Sequence, residues 1–211
     1  VLESSVNQFK RNIVGQFTTP EKLAKILVRA GIDNLTLPAI DPCCGTGTIA
    51  KAVLEEKVDA IGLDAAYKST FASDKYSFPL QISNIALTRA DAMNLPSLLF
   101  QKNAFVLKVG DSIQIRDPMD GQDKKYVLPE WGSIVSNLPF VAFDQKGREE
   151  SSNIKAALSK VHKDTSINIS SRADFYQALL LHLWYTLAEN ASVAVITSTS
   201  WLGTDAGAAF F

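Results

Sequence analysis

Apolar and polar residues follow one another along this chain in blocks that predict helices and strands in turn. Residues 15–31, GQFTTPEKLAKILVRAG, begin the series with a helix. Thr19 can cap this helix, Pro20 fits its first turn and Gly31 ends it. Its apolar stripe at helical spacing consists of Leu23, Ile26, Leu27 and Ala30.

Five short apolar runs predict the strands of a single sheet: residues 37–41, 59–64, 104–111, 132–137 and 192–199. Helical patterns lie between them, over residues 49–54, 80–93 and 172–189. Residues 144–164 mix both charges, and we interpret them as a mobile loop. Strands alternating with helices indicate an α/β fold with a mostly parallel, doubly wound sheet. Ligands of such folds bind at the carboxyl ends of the strands.

Four of the predicted strands end in a polar residue. These residues are Asp41, Asp64, Asp111 and Asn137. The carboxyl ends of parallel strands meet at one edge, so we expect the four side chains to face a common ligand. A glycine turn follows the first of them, in DPCCGTGTIA, where Gly45 and Gly47 let the backbone approach that ligand.

Composition narrows the class of protein only slightly. The chain has 211 residues, of which 46% are apolar and 20% charged, as in ordinary globular proteins. No apolar run approaches the roughly 20 residues that span a membrane, and the amino terminus lacks a secretion signal. Adjacent cysteines such as Cys43 and Cys44 rarely pair, and no further cysteine completes a zinc site. We therefore expect a reduced, cytoplasmic protein without a metal.

The glycine turn admits a second interpretation. Residues 45–50, GTGTIA, also fit the loose dinucleotide pattern G-x-G-x-x-A. However, Asp41 would then lie where a pyrophosphate belongs, and two negative charges at that distance repel each other. An acid beside the turn is better suited to a cationic amino-acid group.

Three motifs in one order resemble a known family. DPCCGTGTIA resembles the nucleotide loop of S-adenosylmethionine-dependent methyltransferases, and SNLPF, residues 136–140, resembles their Asn-Pro-Pro-Tyr/Phe motif. GQFTTP, residues 15–20, resembles the amino-terminal cofactor motif of adenine-N6 DNA methyltransferases. The resemblance covers nearly the whole chain and is closest to the gamma-type catalytic domain of restriction-modification systems. It implies a Rossmann-like class I methyltransferase fold, here expected to stop after the fifth strand.

The resemblance also implies roles for individual residues. Residues expected to surround the methionine end of S-adenosylmethionine are Phe17, Thr18, Thr19, Pro20, Asp41, Cys43, Gly45 and Gly47. Asp64 is expected to hold the ribose hydroxyls and Asp111 the adenine amino group. Asp91, in TRADAM, competes with Asp111, which we favour because an apolar run precedes it. Asn137 would complete the cofactor site as well as the catalytic one.

The catalytic motif would consist of Asn137, Leu138, Pro139 and Phe140. An adenine amine is a poor nucleophile because its lone pair is delocalised into the ring. The Asn137 oxygen and the carbonyl of residue 138 would accept both amine hydrogens, freeing that pair, while Phe140 stacks on the flipped base. Leu138 stands where the family usually has proline, but Pro139 still favours an extended backbone at residue 138.

We therefore expect transfer of a methyl group from S-adenosylmethionine to the N6 amine of adenine in DNA. Two alternatives stay open: the same fold methylating RNA or a protein glutamine, and a degenerate subunit without catalytic activity. Residues 1–35 would form an amino-terminal helical segment and residues 36–211 the catalytic domain. A net charge of −1 gives little attraction to phosphates, so we expect a specificity domain or subunit to help this chain bind DNA. The resemblance also implies a restriction endonuclease partner.

Overall fold

The computed structural model describes residues 18–140, 148–166, 175–199 and 202, with the backbone alone at residues 148–150. They belong to two compact units. The first, here the sheet unit, is Thr18–Asn137 with Thr186–Val195. The second, here the helical unit, contains the described residues of Leu138–Tyr185 and those from Ile196 onward.

Seven strands are present in the described part of the chain: β1 (Ala39–Asp41), β2 (Thr70–Asp74), β3 (Leu98–Gln101), β4 (Ser112–Arg116), β5 (Asp123–Val127), β6 (Trp131–Asn137) and β7 (Leu187–Ile196). Five form one sheet in the order β3-β2-β1-β6-β7. The pairs β3–β2, β2–β1 and β1–β6 are parallel, which confirms the predicted α/β architecture. The chain moves outward from β1 to β3 and then returns to β6 on the other side. The switch point between β1 and β6 is where such folds bind ligands.

The helices in the described residues are α1 (Glu21–Gly31), α2 (Thr48–Ile61), α3 (Leu63–Ser69), α4 (Ser77–Leu87), α5 (Arg148–Thr165) and α6 (Phe175–Trp184). Helix α2 contributes to two apolar clusters of the sheet unit. Ile49 and Val53 belong to one cluster, and Ala50 and Leu54 to the other, as the helical spacing predicts. None of these helices is long and apolar enough to cross a membrane.

The second strand was predicted wrongly. Residues 59–61 are the end of α2, and Gly62, with a φ of 82°, separates α2 from α3. Asp64 lies in the first turn of α3. The actual second strand, β2, is buried along its whole length and ends in Asp74. Its Phe71 ring packs edge-on against Trp131, 5.0 Å between ring centroids. The extra helix α3 therefore displaces the strand by about ten residues along the sequence.

The third strand was also predicted wrongly. Residues 104–106 form a 3-10 turn, which begins where the Asn103 side chain accepts a hydrogen bond from the Phe105 amide. The parallel strand at this sheet edge is β3, a few residues earlier. Asp111 instead precedes β4, which pairs with β5 as an antiparallel hairpin that the sequence did not predict.

Helix α1 has the predicted bounds but a different buried face. Leu23 and Ile26 of the expected stripe are exposed, whereas Ala24 and Val28 are buried. Small residues face inward because Gly31 lies against β7. A Cβ added at Gly31 would be 2.0 Å from the Cβ of Ala194. Gly31 thus permits close packing in addition to standing at the helix end.

The prediction of a mobile loop at residues 144–164 is wrong for the residues that the structure describes, because α5 occupies residues 148–165. Ile154, Ala157 and Val161 form a buried stripe on this helix. The predicted helix at 172–189 is shorter, since α6 ends at Trp184 and residues 187–189 belong to β7. Charged residues on three sides of α5 concealed its apolar stripe in the sequence.

Candidate functional site

A backbone hydrogen bond and two glycines with positive φ form the turn after β1. The Gly47 amide donates a 2.8 Å hydrogen bond to the Cys44 carbonyl, and both glycines have positive φ, 52° at Gly45 and 87° at Gly47. A Cβ at Gly47 would be 2.9 Å from Ser83 Oγ on α4, so this glycine allows the turn to pack on that helix. At Gly45 a Cβ would meet nothing within 4 Å. The turn therefore offers open space beside Gly45.

Asp41 is a buried carboxylate at the tip of β1. Its side chain accepts a 2.7 Å hydrogen bond from the Ser136 hydroxyl and one of 3.3 Å from the Cys43 amide. Burial raises the pKa of Asp41 from 3.8 to about 7, the two hydrogen bonds oppose the increase, and the Asp74 charge adds to it. A cation beside Asp41 would lower this pKa again, because it favours the ionised form.

Asp74, which was not among the predicted site residues, is the acid at the tip of β2. Its carboxylate accepts hydrogen bonds from the Gly45 amide (3.0 Å) and the Tyr76 amide (2.8 Å). Burial raises the pKa of Asp74, and these amides act in the opposite direction. Asp64, predicted for this position, is exposed and forms an ion pair with Lys68 on its own helix, 2.6 Å between Oδ2 and Nζ.

Asp111 reaches the same edge of the sheet by a different route from the one predicted. It forms an ion pair with Lys102, the residue after β3. The Lys102 amide in turn donates to the Asp74 carbonyl at 2.9 Å. Asp91 is exposed and is held by Arg89 through two hydrogen bonds of 2.9 and 2.8 Å. Of these two candidates, Asp111 is the one connected to Asp74.

Asn137 at the tip of β6 is joined to the amino-terminal motif. Its Nδ2 donates a 3.0 Å hydrogen bond to Thr19 Oγ1. Thr19 therefore does not cap α1 through its side chain, and the N-cap position is Pro20. Thr18 and Pro20 flank this contact and are exposed, whereas Phe17 lies outside the described residues.

The remainder of the SNLPF motif continues into the helical unit. Leu138 is buried, and its amide donates to the Ile196 carbonyl at 3.1 Å. Pro139 and Phe140 are partly buried. The hydrogen bond with Ile196 fixes the backbone of Leu138 although the residue is not proline.

The two cysteines belong to the turn. Both are free thiols, and burial raises the pKa of each well above its ordinary value. The described ranges hold no group of His, Cys, Asp and Glu that could bind a metal. The Cys43 amide donates to Asp41, and its contact with the cofactor stays a prediction.

Together these residues form an acidic edge next to an amide group. Two buried carboxylates, Asp41 and Asp74, accept hydrogen bonds from amides of the open glycine turn, an arrangement that suits a ligand with both a cation and hydroxyl groups. Asn137 offers a carboxamide beside them, and Ser136 connects the tip of β6 to Asp41.

The fold is that of class I S-adenosylmethionine-dependent methyltransferases. A protein assigned to that class from Listeria monocytogenes has a similar structure, with 12% identity and a TM-score of 0.62 over 99% of this chain and 53% of the other. The sequence matches the model of the N-6 DNA Methylase family over residues 2–208, and the chain belongs to that family.

Two further solved structures are similar. One is a DrdV–DNA complex, with 15% identity and a TM-score of 0.64 over 98% of this chain and 23% of the other. The second is the methyltransferase subunit of a type I restriction-modification system from Streptococcus thermophilus, with 15% identity and a TM-score of 0.53 over 92% and 37%. The chain thus spans about a quarter to a half of the lengths of these three proteins.

Proposed function

We propose that this chain transfers a methyl group from S-adenosylmethionine to the N6 amine of adenine in DNA, as part of a restriction-modification system. The observation that carries the proposal is the hydrogen bond between Asn137 and Thr19. It joins the motif that resembles the catalytic one to the motif that resembles the cofactor one. Membership in the N-6 DNA Methylase family and the DNA complex of a similar protein support DNA as the substrate.

The acidic edge fits the cofactor. Asp41 would face the cationic amino group of the methionine end, and the open space at Gly45 leaves room for the ligand beside the backbone. Asp74 would hold the ribose hydroxyls, the role predicted for Asp64. Asp111 remains our candidate for the adenine amino group of the cofactor. When bound, S-adenosylmethionine would supply an activated methyl group on a sulfonium.

Asn137 and its neighbour would act on the target amine. The Asn137 oxygen and the Leu138 carbonyl would each accept one hydrogen of the amine, which concentrates the nitrogen lone pair for attack on the methyl group. Thr19 holds the amide nitrogen of Asn137 and so orients its oxygen. Phe140 would stack on the base, a contact of about 1–3 kcal/mol in comparable sites. Positioning of the two reactants should then contribute most of the rate.

A transfer assay with labelled S-adenosylmethionine tests this function. Unmodified genomic DNA is the acceptor, and RNA of equal mass is the comparison. We expect Asn137→Ala to raise the activation free energy of transfer by about 2–4 kcal/mol, while cofactor binding changes little. Asn84→Ala, at an exposed position of α4, is the matched control. Labelling of RNA instead of DNA, or a full rate with Asn137→Ala in the complete enzyme, would refute the proposal.

A further inference from the structure

Helix α5 has two opposite faces of different chemistry. At 3.6 residues per turn, its buried residues Ile154, Ala157 and Val161 lie on one side. Five exposed residues lie within an arc of about 100° on the other side: Ser152, Lys155, Ser159, His162 and Lys163. This surface, here the Ser/Lys face, contains neither an acidic nor an apolar side chain.

The one acid within residues 151–166 has a partner away from this surface. Asp164 is the only Asp or Glu among residues 151–166, and it forms a side-chain hydrogen bond with Tyr185. The amine of Lys160 lies 3.5 Å from the centre of the same tyrosine ring. Lys155 and Lys163, in contrast, form no ion pair with any residue that the structure describes. The two lysines therefore present an uncompensated positive charge to solvent.

We propose that the Ser/Lys face binds the phosphate backbone of DNA without reading its sequence. The proposal rests on the function proposed above, because it takes DNA to be the substrate. Small serine side chains allow a helix to approach the backbone closely, and their hydroxyls donate to phosphate oxygens. Lys155 and Lys163 are about 12 Å apart along the helix, which is the rise of three to four nucleotides.

Charge complementarity favours DNA over a protein partner. A chain with a net charge of −1 needs a local positive surface to bind DNA. The salt-bridged lysines of the sheet unit, such as Lys68 and Lys102, are paired with Asp64 and Asp111. A protein partner would more often be met by apolar or aromatic residues at the centre of its interface. The Ser/Lys face has none.

The salt dependence of DNA binding tests the proposal. The complete enzyme, the double variant Lys155→Ala/Lys163→Ala and the control Lys68→Ala/Lys125→Ala are compared by anisotropy with a labelled duplex of random sequence. Both double variants remove two positive charges from exposed positions. Loss of two phosphate contacts should reduce the slope of log K against log salt by about two in the first variant and not in the second.

Methyl transfer to genomic DNA separates this inference from the proposed function. We expect Lys155→Ala/Lys163→Ala to raise KM for DNA about tenfold, with kcat and the cofactor Kd unchanged. If the enzyme methylates DNA and this variant keeps the original slope and KM, the Ser/Lys face does not bind DNA, although the proposed function stands. If the unaltered enzyme neither binds nor methylates DNA, both ideas are wrong.

Discussion

Protonation of Asp41 should control binding of the cofactor. The carboxyl is 2% exposed and has a pKa of about 7, so it is largely neutral below that pH before a ligand arrives. If the cofactor's amino group binds the ionised form, its affinity should fall about tenfold for each pH unit below 7. The expected loss is thus about tenfold at pH 6 and about a hundredfold at pH 5.

Calorimetry with S-adenosylhomocysteine, the product and a stable ligand, measures this dependence. Titrations at several pH values give Kd, and titrations in two buffers of different ionisation enthalpy show whether a proton is released near pH 6. Asp41→Asn is the control, since its amide cannot ionise. It should bind the ligand weakly and with the same affinity at each pH. A constant affinity in the unaltered protein between about pH 5 and pH 8 would refute the reasoning.

The Asp41 carboxyl should also make the stability of the folded protein depend on pH. This dependence runs opposite to that of cofactor binding, because stability should fall as the pH rises. The pKa of Asp41 in the folded protein is raised above the ordinary value of 3.8, so the folded state holds the proton more tightly than the unfolded state does. Its contribution to stability is present below about pH 4 and is lost as the pH rises to about 7. The free energy of unfolding should fall by about 4 kcal/mol over this range. Asp41→Asn should abolish this pH dependence, because its amide cannot ionise. Denaturant titrations of both proteins at the two pH values measure the difference.

Three further variants test other parts of the sheet unit. Asp74→Asn should weaken cofactor binding at least tenfold in calorimetry, whereas Asp64→Asn should leave it unchanged; equal effects would contradict our reassignment. Burial lowers the pKa of Lys57 from 10.5 to about 8. Between pH 8 and pH 10.5 the unfolded state therefore binds the proton more tightly than the folded state does. Compared with Lys57→Met, the free energy of unfolding of the unaltered protein should rise by about 3 kcal/mol as the pH increases over this range. Gly31→Ala should lower the melting temperature, at a cost of about 1–3 kcal/mol, because its Cβ would meet Ala194; Ala30→Ser, at an exposed position, should not.

The sequence predicted the sheet and the polar residues at the tips of two of its strands, because those two strands are strongly marked. β1 and β6 are short, apolar and followed by turn residues, so Asp41 and Asn137 were found at their ends. Of the five predicted strands, the first, fourth and fifth are in the sheet, whereas the second and third were placed at the wrong residues. What periodicity captures is therefore the central pair of strands, which is buried on both faces.

Asp74 was missed because spacing and composition both favoured Asp64. In dinucleotide sites the acid follows the glycines by about 20 residues, which is near the position of Asp64. The additional helix α3 lengthens that connection, so that Gly45 and Asp74 are 29 residues apart. β2 itself, TFASD, has few large apolar residues, and only Thr70 and Phe71 favour a strand. The hydrogen bond from the Gly45 amide to Asp74 is a tertiary contact that no local pattern encodes.

The last two residues of β6 form hydrogen bonds with different partners. Successive side chains of a strand point to opposite faces, and accordingly Ser136 bonds Asp41 while Asn137 bonds Thr19. Ser136→Ala should therefore raise the pKa of Asp41 further and move the midpoint of cofactor binding to higher pH, without lowering kcat once the cofactor is saturating at high pH. Asn137→Ala should do the reverse, lowering kcat and leaving that midpoint in place. Measuring Kd against pH and kcat on DNA for both variants decides the matter. If each variant changed both quantities equally, the tip of β6 would act as one unit and this separation of roles would be wrong.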